Sequence, residues 1–248
     1  MSKKMQLGII GAGRIAGVHA KNIQYFIPEA EVRSIADPYL SAAAKEWIAE
    51  YGIANASLDY NDILKDPEID AVLVCSSTDT HAKITRKAAL AGKHIFCEKP
   101  IDHDVEEIVK TLRIVADTGV QLQVGFNRRF DHNFMALRSA VVEQTIGDLH
   151  MIRITSRDPE APPIDYIKVS GGMFMDMTIH DFDMVRFLSG SEVASVYASG
   201  TVLVDKAIGE AGDIDTAVIT MELENGALAV IDNSRRAAYG YDQRAEVF

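Results

Sequence analysis

Short apolar runs alternate with longer amphipathic segments over the first 125 positions. The runs are typical of buried strands and cover Met5 to Ile10, Val32 to Ala36, Ala71 to Cys75, His94 to Cys97 and Gln121 to Gly125. Between them, apolar residues recur at helical spacing, as in Ile108, Leu112 and Val115. Repeated strand–helix units form parallel sheets through right-handed crossovers. Residues 1–125 are therefore predicted to form a doubly wound α/β domain.

The pattern changes after about residue 147. Apolar and polar residues alternate at positions 152–155 and 217–222, which is typical of half-buried strands, and Asn225-Gly226 is a strong hairpin signal. One long helix is predicted from Gly172 to Leu188, where apolar residues recur at helical spacing. Residues 126–248 are thus predicted to form an α+β domain on a mainly antiparallel, open sheet.

Charge and composition limit the kinds of molecule that the protein is expected to bind. Lys and Arg total 25 against 36 Asp and Glu, and a net charge of −11 disfavours a nucleic-acid role. No apolar segment has the length of a signal peptide or a membrane span, so we expect a cytoplasmic protein without a membrane partner. Cys75 and Cys97 end apolar runs and are expected to be buried thiols in a reducing compartment.

A glycine-rich turn follows the first predicted strand. Gly11 and Gly13 fit the G-x-G-x-x-A pattern in which one glycine makes a tight turn and the other admits a pyrophosphate, and Ala16 permits close helix packing. The helix that begins at Arg14 and Ile15 offers backbone N–H groups to an anion, so both residues are candidate cofactor contacts. The order strand, turn, helix predicts a Rossmann-type dinucleotide site.

Asp37 ends the second predicted strand, where this fingerprint places a carboxylate for the adenosine ribose. A negative charge there repels a 2′-phosphate, and Pro38, Tyr39 and Leu40 supply no arginine, so NAD is predicted rather than NADP. The alternative is that Asp37 only caps the following helix.

Lys99 follows the strand His94 to Cys97, within Glu98-Lys99-Pro100. Ligands of doubly wound sheets bind at this carboxyl edge, where a cation stabilises negative charge on a reacting oxygen. The alternative is a solvated surface lysine.

Asp176 and His180 are four residues apart on the predicted second-domain helix, and such residues share a face. Asp176 is expected to fix the His180 tautomer, which leaves the other ring nitrogen to accept a proton. Two alternatives stay open: a core histidine without a catalytic role, and a metal site with Asp183. No metal is expected, since NAD-linked hydride chemistry needs only a base.

Taken together, the motifs resemble the glucose-fructose oxidoreductase and inositol dehydrogenase family. The resemblance spans essentially the whole chain and rests on Gly8 to Gly17, Ala91 to Pro100, Gly125 to Asp131, Ser170 to Asp183, and Asn233 to Asp242.

This resemblance implies an NAD-linked oxidation of one ring hydroxyl of myo-inositol to a ketone, in a homotetramer formed through the second-domain sheet. It also implies roles for individual residues. Lys99 is expected to contact the reacting oxygen, His180 to act as the base, and Asp176 to orient His180 and touch the substrate. Further polyol contacts are expected from Asn127, Arg128, Asp158 and Tyr241, and nicotinamide-side contacts from Ser76, Ser77, His81 and Glu98.

Members of the family continue well past Tyr239-Gly240-Tyr241-Asp242, whereas this chain stops at Phe248 within an apparent strand, so we expect the second domain to be truncated.

Two other functions remain open. One is a different sugar or polyol dehydrogenase, including one with a tightly held cofactor. The other is a non-catalytic NAD-binding regulatory module, which the combination of Lys99, Asp176 and His180 disfavours.

Overall fold

The computed structural model describes residues 3–248. The chain divides into two compact units, Met1–Gly125 and Phe126–Phe248. Each unit is built on one sheet, and each carries part of the predicted chemistry.

The first unit is a six-stranded, fully parallel sheet in the order β3-β2-β1-β4-β5-β6. Its strands are β1 (Met5–Ile10), β2 (Ala30–Ala36), β3 (Asn55–Ser57), β4 (Ala71–Val74), β5 (His94–Cys97) and β6 (Leu122–Val124). Its helices are α1 (Arg14–Phe26), α2 (Ala42–Glu50), α3 (Tyr60–Lys65), α4 (Thr78–Leu90) and α5 (Val105–Thr118). This strand order confirms the predicted doubly wound sheet.

Burial on both faces explains the apolar runs of the central strands, since Ile9, Ile35 and Val72 are fully buried. The edge strand β3 was not predicted, because three polar or small residues carry no apolar pattern. Cys75 and Cys97 are both buried as expected, and burial raises the pKa of the Cys97 thiol to about 12.

The second unit holds a five-stranded mixed sheet in the order β11-β7-β10-β9-β8. Its strands are β7 (Met151–Arg157), β8 (Val193–Thr201), β9 (Thr216–Leu223), β10 (Leu228–Ser234) and β11 (Asp242–Val247). The hairpin predicted at Asn225-Gly226 joins β9 to β10, and Gly226 has φ +87°. Three of the four strand pairs are antiparallel, as predicted for a mainly antiparallel sheet, while β7 and β10 are parallel neighbours.

The helices of the second unit are α6 (His132–Val142), α7 (Ile164–Ser170), α8 (Ile179–Ser189) and α9 (Lys206–Glu210). The long helix predicted from Gly172 to Leu188 is divided: a π-helical turn, Phe174–Thr178, runs directly into α8. Met173, Met184 and Leu188 are fully buried against the sheet. Within the described residues, no helix has both the length and the apolar content to cross a membrane.

Candidate functional site

The glycine turn between β1 and α1 has the geometry of a phosphate cradle. Gly11 has φ +100°, and a Cβ there would lie 2.6 Å from the backbone of Cys75 and Ser76, so only glycine fits. Gly13 caps α1 without a side-chain hydrogen bond, and a Cβ at Gly13 would meet no atom within 4 Å. Open space at Gly13, together with the first N–H groups of α1, which have no acceptor within the helix, suits the pyrophosphate of a dinucleotide.

Asp37 anchors this turn. Its Oδ2 accepts a 2.7 Å hydrogen bond from the Ala12 backbone N–H, and its Oδ1 accepts one of 2.7 Å from the Tyr39 N–H. The alternative that Asp37 caps the next helix is wrong, because Ser41 caps α2 by accepting from the Ala44 N–H at 3.1 Å. Asp37 thus directly follows β2 and is joined to the glycine turn, and its contact with the ribose stays a prediction.

The segment that carries Lys99 is held from both sides by histidines. On one side, His19 Nε2 lies 2.7 Å from Glu98 Oε1. On the other, His81 Nδ1 lies 2.8 Å from the Pro100 carbonyl oxygen. A role for His19 in the site was not predicted. Its place on α1 beside the buried Ala16, Ala20 and Ile23 could have indicated one, because a polar residue on a buried helix face needs a partner.

His81 is only 2% exposed, and its second ring nitrogen, Nε2, lies 2.9 Å from the Ser76 carbonyl oxygen. Both nitrogens therefore face backbone carbonyl groups, and the ring connects the Ser76 and Pro100 segments. The place of His81 near the nicotinamide stays a prediction. Ser76 itself bonds Thr80 through the two hydroxyl groups at 2.6 Å, and Ser77 precedes α4.

In the second unit, the Asp176 carboxylate is bound at both oxygens. Oδ1 accepts a 2.8 Å hydrogen bond from the Tyr166 hydroxyl, and Oδ2 accepts one of 3.0 Å from Arg235 Nη1. Asp176 lies in the π-helical turn and His180 in the first turn of α8. The His180 ring packs edge-on against Phe126, with 6.4 Å between the ring centroids.

Arg235 is a buried cation among three carboxylates, and the sequence motifs gave it no role. Its side chain is 2% exposed. Besides Asp176, its Nη1 lies 3.7 Å from Asp158 Oδ2 and its Nη2 lies 3.9 Å from Asp213 Oδ2. Burial raises the pKa of Asp158, an effect that the Arg235 charge opposes and the Asp176 charge reinforces. The predicted substrate residues Asp158 and Asp176 are thus brought together around one guanidinium.

Arg128 belongs to a second buried network. Its Nη1 donates to Asp181, which is fully buried, and to Ser156 Oγ at 3.3 Å. Asp181 also accepts from Ser156 Oγ at 2.7 Å and from Asn233 Nδ2 at 2.8 Å. One guanidinium nitrogen of Arg128 is therefore committed to the interior of the second unit, and its contact with substrate stays a prediction.

The remaining predicted residues are spread more widely. Asn127 begins the short 3₁₀ turn Asn127–Phe130, while Tyr241 precedes β11 and is 74% exposed. Asp183 pairs with Arg129 through two hydrogen bonds of 2.8 and 2.6 Å. Over residues 3–248, no three His, Cys, Asp or Glu side chains are arranged to hold a metal ion.

Comparison with known proteins agrees with this architecture. Residues 5–126 match the oxidoreductase family with an NAD-binding Rossmann fold, and residues 134–248 match the GFO/IDH/MocA C-terminal domain. The chain belongs to the GFO/IDH/MocA family. Its first unit is an NAD-binding Rossmann domain, and the cofactor predicted from the glycine turn is confirmed.

Three similar proteins illustrate how closely the chain resembles members of the family. The chain is 53% identical to the uncharacterized oxidoreductase YrbE of Bacillus subtilis, over 100% of this chain and 72% of that protein. It is 51% identical to the myo-inositol 2-dehydrogenase of Thermotoga maritima, over 98% of this chain and 72% of the relative. The structure of Lactobacillus casei scyllo-inositol dehydrogenase with bound NAD(H) and scyllo-inositol is 34% identical, with a TM-score of 0.90, over 99% of this chain and 74% of that chain.

Proposed function

We propose that this member of the family oxidises myo-inositol to 2-keto-myo-inositol with NAD, as the first step of inositol catabolism. The observation that carries the proposal is the Asp176 carboxylate, held at both oxygens four residues before His180. A carboxylate ordered in this way is suited to orient a catalytic base, a task that has no use in a cofactor sensor. The 51% identity to the Thermotoga maritima myo-inositol 2-dehydrogenase supports the choice of substrate.

The proposed chemistry assigns one task to each residue. The Gly11–Gly13 turn and Asp37 would hold NAD, which would supply the acceptor for the hydride on the carbon that carries the reacting hydroxyl. His180 takes the hydroxyl proton, because hydride leaves an alcohol readily only when the proton leaves as well. Lys99 stabilises the negative charge that develops on the same oxygen. Asn127, Arg128, Asp158 and Tyr241 are proposed polyol contacts, and Ser76, Ser77, His81 and Glu98 are proposed neighbours of the nicotinamide.

The proposal is tested by following NADH formation with myo-inositol, scyllo-inositol and glucose, each with NAD and with NADP. We expect the largest kcat/KM for myo-inositol with NAD. A preference for scyllo-inositol would assign the chain to the other isomer, which is the ligand of the Lactobacillus casei structure. NAD that binds without turnover of any polyol would contradict the enzyme assignment.

Two variants test the assigned roles. His180→Gln and Lys99→Met are each expected to lower kcat by about 10²–10⁴-fold, the usual contribution of a positioned acid or base. His132→Gln and Lys83→Met are matched controls, since both side chains are exposed on helices of the same respective units, and neither variant should change kcat. Full activity in both site variants would refute the mechanism.

A homotetramer formed through the second-unit sheet, in a cytoplasmic setting, is also proposed. Every residue of β8 after Val193 is exposed, including Val196 and Tyr197, and an exposed apolar strand favours association. Light scattering of the purified chain measures the mass directly, and a monomer at micromolar concentration would contradict this part of the proposal.

A further inference from the structure

Arg235 occupies a position that connects three separate elements of the second unit. It directly follows β10, while Asp158 directly follows the parallel neighbour β7 and Asp213 precedes β9. The Asp158 N–H donates to the Ser234 carbonyl at 3.0 Å, which continues the β7–β10 register and places Asp158 beside Arg235. Asp176 approaches from the π-helical turn. One guanidinium thus faces carboxylates from three segments.

A buried guanidinium is costly unless carboxylates neutralise it, and three carboxylates exceed what one cation neutralises. The contacts are also unequal. Only the Nη1 bond to Asp176 is a hydrogen bond, at 3.0 Å, whereas Asp158 and Asp213 lie at 3.7 and 3.9 Å. The Arg235 charge is therefore directed mainly at Asp176, the carboxylate four residues before the proposed base.

The Asp176 carboxylate is fixed in its orientation. With Tyr166 on Oδ1 and Arg235 on Oδ2, its carboxylate plane has one orientation that satisfies both donors. A lysine in place of Arg235 keeps the charge but not the planar fork that reaches more than one carboxylate.

We propose that Arg235 is a positioning residue for the dehydrogenase reaction: its hydrogen bond holds the Asp176 carboxylate in the orientation in which Asp176 acts on His180 and on the polyol. This inference rests on the proposed function. Arg235 acts through Asp176, so its loss should lower kcat while NAD binding to the first unit stays unchanged.

The test compares Arg235→Gln, Arg235→Lys and the wild type in kcat, KM and NAD affinity. Arg235→Gln is expected to lower kcat by about 10²-fold, the scale of a misplaced catalytic group, with KM and NAD affinity changed much less. Arg235→Lys keeps the charge without the planar fork and should recover only part of the lost kcat. Arg129→Gln is the matched control, since it breaks the Arg129–Asp183 pair without touching Asp176.

Arg235→Gln leaves carboxylates without their cation and can unfold the second unit. The double variant Arg235→Gln/Asp213→Asn removes one of these charges, and we expect it to unfold at higher temperature than the single variant while remaining equally impaired in kcat. Recovery of wild-type kcat in the double variant would overturn the proposal.

Nitrogen-15 NMR of the His180 ring separates this proposal from the substrate assignment, because it needs no substrate. Arg235→Gln should change the ratio of the two His180 tautomers, and Arg129→Gln should not. An unchanged ratio in a folded Arg235→Gln variant overturns the positioning role, even if inositol is oxidised. A changed ratio without turnover of any polyol supports positioning and refutes the proposed function alone.

Discussion

Asp181 is the residue whose substitution should cost the second unit most stability. It is fully buried, and its carboxylate accepts hydrogen bonds from Arg128, Ser156 and Asn233. We predict that Asp181→Asn, which keeps the shape and removes the charge, strongly destabilises the fold. The NH₂ group of the substituted side chain would also face hydrogen-bond donors at a position where an acceptor is required.

The expected loss of stability follows from the burial of both Asp181 and its partner Arg128. The Arg128 side chain is 9% exposed, so loss of the Asp181 charge leaves a nearly buried guanidinium without its counter-ion. Breaking a buried ion pair by removing one partner costs about 3–5 kcal/mol. Because whole-protein stability is of the order of 5–15 kcal/mol, this loss is large enough to measure without ambiguity.

The assay must distinguish the two units. Trp47 is the only tryptophan in the sequence and lies on α2 of the first unit, so its fluorescence reports that unit alone. Hydrogen exchange of peptides that cover β7 and β10 reports the sheet beside Asp181. We expect faster exchange in these two strands, and an unchanged urea midpoint for Trp47 fluorescence.

A double variant provides the control. Arg128→Met/Asp181→Leu replaces the ion pair with apolar groups and is expected to be more stable than Asp181→Asn, because neither charge is then left alone. The reasoning fails if Asp181→Asn loses less than about 1 kcal/mol, the level of an exposed ion pair. It also fails if the double variant shows the summed loss of the two single substitutions.

Three further predictions concern other positions. Gly11→Ala should weaken NAD binding at least tenfold in calorimetric titration, because φ +100° strains alanine by about 1–3 kcal/mol and its Cβ would lie 2.6 Å from backbone atoms. Equal affinity in the variant would contradict the phosphate-binding role of this turn. Ser41→Ala removes the α2 cap and should lower stability by about 1 kcal/mol in urea unfolding followed by tryptophan fluorescence. Asp158→Asn should stabilise the fold at neutral pH, since burial raises the pKa of Asp158 and favours its protonated form. This gain in the free energy of unfolding should vanish below the pKa of an unfolded aspartate. A gain that does not depend on pH would exclude burial of the Asp158 charge as its cause.

The first unit was largely predictable from sequence because its signals are local. Fully buried parallel strands give continuous apolar runs, and the turn at Gly11 needs a backbone conformation that only glycine adopts without strain. Four of the predicted strands agree with the structure to within one residue at each end: β1, β4, β5 and β6. By contrast, β3 is held by pairing with β2 and has no pattern of its own.

The contacts that orient the predicted residues were not predictable, because they join distant parts of the chain. His81 has the polarity of a ligand residue in sequence, yet both of its nitrogens meet backbone carbonyls. Arg128 looks like a polyol contact, yet its Nη1 binds Asp181, which is 53 positions away. Composition and spacing identify which residues can form hydrogen bonds, but only the fold decides which partner each one meets.

Asp176 and His180 show the same limit within a single helical segment. Four-residue spacing places side chains on one face of an α-helix, but Asp176 lies in a π-helical turn, where hydrogen bonds run from i to i+5 and the angular relation differs. The direction of the Asp176 carboxylate is set instead by Tyr166 and Arg235, which are 10 and 59 positions away. The parallel pairing of β7 and β10, the one parallel pairing in a sheet whose sequence favours antiparallel neighbours, places Arg235 beside Asp158, and the π-helical turn brings Asp176 to the same guanidinium. Substitutions at Arg235 therefore separate two explanations: helical spacing alone predicts no effect on His180, whereas the proposed orientation of Asp176 by Arg235 predicts that the His180 tautomer changes.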